Sequence, residues 1–139
     1  MPVELFYILH RWVEMAGQDA SLRERQPWKA AVGKDYAFLA GAFDKHYQGD
    51  DTDLKVLMGG VLGAIAGMDV EAYAAQAAAV AGGGMHPTAG RPFAAVGFQP
   101  MVELLRYLEA NGFTNLIASG GNRDFMRGFA ADVYGLPPE

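Results

Sequence analysis

Two sets of residues in this sequence have types and spacing that could carry out chemistry. The first is the tripeptide Ser119-Gly120-Gly121, which follows a short apolar run and precedes a helical pattern. The start of a helix presents unpaired amides and a partial positive charge, and glycines let the backbone approach a ligand closely. This pattern suits a phosphate group, although such turns are also common as plain structure. The predicted phosphate-binding residues are Ser119, Gly120, Gly121, Asn122 and Arg123.

The second set consists of histidines and carboxylates. His10 and Glu14 are four residues apart, so they share one face of a helix. Such a pair could give two ligands to Zn, Mn or Mg, and His46 is the third candidate if the first and third helices pack together or meet across a dimer. A three-ligand site with an open position could activate water for hydrolysis. The alternative for His10 and Glu14 is an ordinary pair on an exposed helix face.

Apolar residues at three- and four-residue spacing predict the helices that position these groups. The predicted helices cover residues 2–16, 35–47, 54–66, 70–81, 99–111 and 122–134, and another starts near Ser21 and stops or kinks at Pro27. The run 54–66 is apolar nearly all round, so we predict it to be buried. Its Gly59 and Gly63 could allow close approach of another helix, or they could simply weaken this one. Residues 116–118 are predicted to form a short buried strand.

Composition excludes several classes of function. The chain has 139 residues, a net charge of −5 and scattered basic residues, which disfavours binding to nucleic acid. It has no cysteine, which excludes disulfides, thiolate metal ligands and thiol nucleophiles. We recognise no targeting segment, and the longest apolar run, Val56–Met68, is shorter than a membrane-spanning helix. We therefore expect a soluble, cytoplasmic protein with no membrane partner.

One longer stretch carries a family resemblance. Residues 99–127, QPMVELLRYLEANGFTNLIASGGNRDFMR, resemble the second motif of haloacid dehalogenase superfamily phosphatases, especially the phosphoserine-phosphatase-like branch. The closing Tyr134–Glu139 and the His86–Pro92 loop also resemble that branch. The resemblance implies a mostly α fold, in which residues 1–97 form a helical cap with a Gly/Pro linker at 82–97. Residues 98–139 would form a helix-strand-helix remnant of the α/β core, the whole being one folded unit.

The resemblance also implies phosphoryl-transfer chemistry, with Ser119 as the phosphate-binding serine. The family's Asp-x-Asp-Gly nucleophile motif does not occur in this sequence, and its later lysine and acidic pair have no counterpart. The chain therefore resembles an internal piece of such a phosphatase. We expect a phosphoester hydrolase that acts through a metal-bound hydroxide on a small phosphoester. The alternatives are a non-catalytic oligomerising fragment, and a subunit completed by a separate polypeptide that carries the nucleophile.

The predicted strand at 116–118 bears on assembly. A strand needs hydrogen-bonding partners at its edges, and the sequence offers no second strand to supply them. The segment must pair with another copy of the chain, convert to helix or stay frayed. We therefore expect a homodimer or a higher oligomer.

Overall fold

The chain is mostly helical, as its sequence predicts. The computed structural model describes residues 3–137, and in that range eight α-helices are present. They are α1 (Val3–Gln18), α2 (Trp28–Gly33), α3 (Tyr36–Tyr47), α4 (Thr52–Ile65), α5 (Val70–Gly83), α6 (Gln99–Ala110), α7 (Arg123–Arg127) and α8 (Ala130–Tyr134). Two short 3₁₀ turns, Ala20–Glu24 and Phe93–Val96, accompany them. This architecture confirms the mostly α fold class.

Side-chain caps and stop residues account for many of the helix ends. The carboxylate of Asp35 accepts a hydrogen bond from the Phe38 amide at the start of α3. At the start of α5, the carboxylate of Asp69 accepts one from the Ala72 amide. Gly112, with φ of +82°, follows the end of α6. The proline predicted to begin the first helix, Pro2, lies outside the described residues.

Residue contacts divide the chain into two units, with the division between Gly67 and Met68. The first unit holds α1 to α4, and the second holds α5 to α8. The boundary expected from the sequence, after residue 97, falls inside the second unit.

The core of the first unit is built around Trp12. Helix α1 packs against α2 and α4, and the Trp12 indole Nε1 donates a hydrogen bond of 2.9 Å to the Gly60 carbonyl oxygen. A Cβ on Gly60 would collide with the Pro27 side chain and lie 3.0 Å from the Trp12 ring, so only glycine fits without a shift. The close approach therefore occurs at Gly60, whereas a Cβ on Gly59 or Gly63 would meet open space.

Helix α4 has an apolar sequence nearly all round, but only one of its faces is buried. Leu57 and Ala64 are buried, but Met58 and Leu62 are 50% and 61% exposed. The prediction that this helix is buried on every side is therefore wrong. One face suffices to pack against α1 and α3, and no element of the first unit covers the other face.

The second unit has its core where α7 packs against α5. Phe125 is fully buried, and its ring centroid lies 5.9 Å from that of Tyr73 on α5. Gly128, just after α7, lies so close to the α5 backbone that a Cβ there would approach the Ala77 Cβ to 2.9 Å. Helix α8 contacts both α6 and α7.

The strand predicted at residues 116–118 is not formed, so the expected helix-strand-helix remnant is instead helix, extended segment, helix. Within residues 3–137 there is no strand, and the only β-type pairing is an isolated bridge between Met85 and Pro92. A strand forms only when a neighbour accepts and donates its backbone hydrogen bonds, and none is available to this segment. The helix predicted over 122–134 is also divided, because α7 ends at Arg127 and α8 begins at Ala130.

Among the described helices, no single one is both long and apolar enough to cross a membrane. The successive helices α4 and α5 meet the length and composition test only when they are taken together as an interrupted pair.

Candidate functional site

The turn predicted to bind phosphate uses some of its donors and acceptors in local contacts. The Gly121 amide donates to the Ser119 hydroxyl oxygen at 3.1 Å. The Asn122 side-chain oxygen accepts from the amides of Asp124 at 2.9 Å and Phe125 at 3.3 Å. These oxygens occupy positions where phosphate oxygens would otherwise accept. A phosphate at this turn would therefore have to displace contacts that the chain already makes.

Before this turn, residues 114–118 form neither helix nor strand. The preceding Phe113 amide donates to the Leu108 carbonyl oxygen at 3.0 Å. Residues 114–120 make no backbone–backbone hydrogen bond within the part of the chain that the structure describes. A single side-chain contact anchors the segment, because the Asn115 amide group donates to the Leu105 carbonyl of α6 at 2.8 Å. Leu116 is 85% exposed and Ile117 is 45% exposed. The segment thus presents free backbone groups together with apolar side chains.

A cleft of about 540 Å³ lies between this segment and the helices that follow it. Its apolar lining includes Phe113, Leu116, Ile117, Met126 and Leu136. Its charged lining consists of Glu109 at the end of α6 and Arg123 and Arg127 on α7. The cleft therefore combines apolar walls with two guanidinium groups and one carboxylate.

The two arginines of the cleft share one carboxylate. Asp124 accepts from Arg123 Nε at 3.4 Å and from an Arg127 terminal nitrogen at 3.2 Å. The Nε of Arg127 is buried and has no hydrogen-bond partner among the described residues. A guanidinium carries five donors, so each arginine retains donors that Asp124 does not use. Sequence spacing signals this arrangement, since residues four apart on a helix share a face.

His10 and Glu14 lie within reach of each other, as their spacing predicts. His10 Nδ1 is 3.5 Å from Glu14 Oε1, and both side chains are largely in solvent. Arg11 competes for the same carboxylate through a contact of 3.0 Å. Burial raises the pKa of the nearby Tyr7 hydroxyl, the charge of Arg11 lowers it, and the charge of Glu14 raises it. The pair thus belongs to a local charge network on α1.

His46 belongs to a separate cluster at the α3–α4 junction. Its Nδ1 lies 2.6 Å from an Asp51 carboxylate oxygen, while Lys45 donates to Asp53 at 2.6 Å. The hydrogen bond to Asp53 raises the pKa of Lys45. Hydrogen bonds from the Thr52 side chain and from the Thr52 amide lower the pKa of Asp50. These contacts serve the turn into α4.

The three predicted metal ligands do not come together within one chain. Across residues 3–137, no group of three or more His, Cys, Asp or Glu side chains is placed to hold a metal ion. The reason is packing, because α1 makes its main contacts with α2 and α4 while α3 contacts α2 and α4. His10, Glu14 and His46 therefore do not fit a resident divalent metal within a single copy.

The sequence was also compared with known proteins. No protein-family model matches it, and no curated protein matches it. The resemblance to haloacid dehalogenase phosphatases therefore depends only on the sequence segments quoted above.

Proposed function

We propose that this chain is a self-associating, non-catalytic helical protein that corresponds to the cap and second motif of a haloacid dehalogenase-like phosphatase. The observation that carries the proposal is that residues 114–118 make no backbone–backbone hydrogen bond within the described chain, while the side chains of Leu116 and Ile117 are exposed. An extended segment with free amides and carbonyls is a template for pairing with another chain. A cytoplasmic location accompanies the proposal as an expectation from the sequence.

The occupant favoured by the chemistry of this segment is the same segment of a second copy. Its residues, Phe-Thr-Asn-Leu-Ile-Ala, carry no charge, so two copies can lie side by side without like-charge repulsion. A two-fold axis would place the same patch of each copy in the interface, which is the commonest arrangement of homodimers. Pairing would satisfy the backbone groups of residues 114–118 and bury Leu116.

The test compares variants by light scattering and sedimentation at micromolar concentration. Leu116→Pro removes one backbone donor and disfavours a paired strand, yet residue 116 makes no backbone hydrogen bond within the described chain. We expect a dimer for the wild type and a monomer for Leu116→Pro, with unchanged helical circular dichroism. Tyr107→Lys, at another exposed apolar position of the same unit, should remain dimeric. A wild-type protein that stays a compact monomer would overturn the proposal.

A second candidate, metal-dependent phosphoester hydrolysis, is favoured by one observation. His10 and Glu14 lie 3.5 Å apart on an exposed face, so a second copy could add a third ligand such as its own His46. The test measures metal content and hydrolysis of an activated phosphoester with added Zn²⁺ or Mn²⁺ and with chelator. His10→Ala should lower both readouts, whereas His86→Ala should leave both unchanged. Activity that is insensitive to chelator and to His10→Ala would exclude this candidate.

A further inference from the structure

We infer that the cleft of the second unit binds a small organic anion whose apolar body fills the cleft and whose charged group is held by Arg123 and Arg127. The cleft has a volume of about 540 Å³, within the range of sites for small molecules. Five large apolar side chains line it, so burying an aryl or short alkyl body there is favourable. The inference does not depend on self-association.

The two positive charges in the cleft favour an anion as the ligand. Arg123 and Arg127 are the only cationic groups in the lining, and their side-chain partner among the described residues is Asp124 alone. Both contacts with Asp124 are long for charged hydrogen bonds, at 3.4 and 3.2 Å. The Arg127 Nε is buried without a hydrogen-bond partner among the described residues, so a bound acceptor would be held by the terminal guanidinium donors that Asp124 does not use.

The planar fork of a guanidinium matches either a carboxylate or a phosphate. The chemistry shared by the two classes is an oxyanion attached to an apolar body. Strand pairing would use the backbone groups of residues 114–118 and bury Leu116, which also lines the cleft, so the two events share this one side chain. Glu109, the single carboxylate of the lining, disfavours ligands that carry a second anionic group close to it.

Calorimetry and amide-detected nuclear magnetic resonance can test the inference with three probes. Phenyl phosphate and phenylacetate carry the two kinds of oxyanion, and benzyl alcohol is a neutral probe of similar size. We expect saturable binding of at least one anion, with shifts at residues 113–117 and 123–127. Benzyl alcohol should bind at least about tenfold more weakly, because it cannot make charged hydrogen bonds. Which anion binds more tightly then distinguishes phosphate monoesters from carboxylates as the ligand class.

Variants of the two arginines test whether their side chains hold the anion. Arg123→Gln, on a side chain that is 72% exposed, should weaken anion binding by about tenfold without unfolding the chain. Arg127→Lys keeps the charge but removes the fork and should weaken binding severalfold. The matched control is Arg106→Gln on α6, an exposed arginine outside the cleft, which should bind as the wild type does. Equal affinity for the neutral and anionic probes, no binding of either anion, or unchanged affinity in Arg123→Gln would each overturn the inference.

Discussion

The indole Nε1 of Trp12 donates a hydrogen bond of 2.9 Å to the backbone carbonyl oxygen of Gly60, 48 residues further along the chain. The bond is buried and joins α1 to α4 at a close contact between the two helices. It requires residue 60 to have no side chain, because a Cβ there would collide with Trp12 and Pro27. The hydrogen bond and the absence of a side chain at residue 60 together determine how α1 packs against α4.

Gly60→Ala is therefore expected to destabilise the first unit. Forcing one carbon into a filled contact costs about 1–3 kcal/mol, which outweighs the gain in helix propensity. Gly63→Ala is the matched control, because it lies on the same helix and its Cβ would meet open space. It should raise stability by up to about 1 kcal/mol. Urea unfolding of the two variants measures the difference, and equal stabilities would contradict the packing described.

Gly128→Ala should destabilise the second unit in the same way. The added carbon would press on the Ala77 side chain and the Ala78 backbone of α5, which separates α5 from α7. We expect a loss of about 1–3 kcal/mol in the free energy of unfolding. Gly82→Ala, on α5 with open space around its Cβ, should be neutral or stabilising. A stable Gly128→Ala protein with an unchanged melting temperature would show that the contact can relax.

Asn122→Ala tests whether the Asn122 cap occupies the amides at the start of α7 and so keeps an anion from binding them. The variant removes the acceptor used by the amides of Asp124 and Phe125 and should cost about 1 kcal/mol. Those amides then become available to an added anion. Titration with inorganic phosphate should shift the amides of residues 119–125 more in Asn122→Ala than in the wild type. Larger shifts in the wild type would support the phosphate turn predicted from the sequence.

Because of Tyr7, we expect the free energy of unfolding to depend on pH in the alkaline range. Burial raises the pKa of its hydroxyl above the ordinary value, so the unfolded chain loses this proton first. The contribution of Tyr7 is therefore complete below about pH 10 and declines as the pH rises from there toward the folded pKa. The stability difference between wild type and Tyr7→Phe should shift in favour of Tyr7→Phe between about pH 9 and about pH 11. Tyr36→Phe, at a side chain that is 59% exposed, serves as the control in urea unfolding. A difference that does not change with pH would contradict the assignment.

The sequence by itself determined the five longest described helices, α1 and α3 to α6, because their signals are local. The cap at Asp69, the stop at Gly112 and the apolar spacing along α1 act within one or two turns, and the structure has each of them where it was predicted. The proximity of His10 to Glu14 follows for the same reason, since a helix places residues four apart on one face.

Tertiary structure alone decided the relationships between elements. Gly59, Gly60 and Gly63 look alike in the sequence, but only the rotation of α4 against α1 selects Gly60 as the close contact. Whether His46 meets His10 depends on which helices are neighbours, and α1 packs mainly on α2 and α4. The run 116–118 has strand-forming residues yet forms no strand, because a strand is stabilised by hydrogen bonds to a partner and the described chain supplies none.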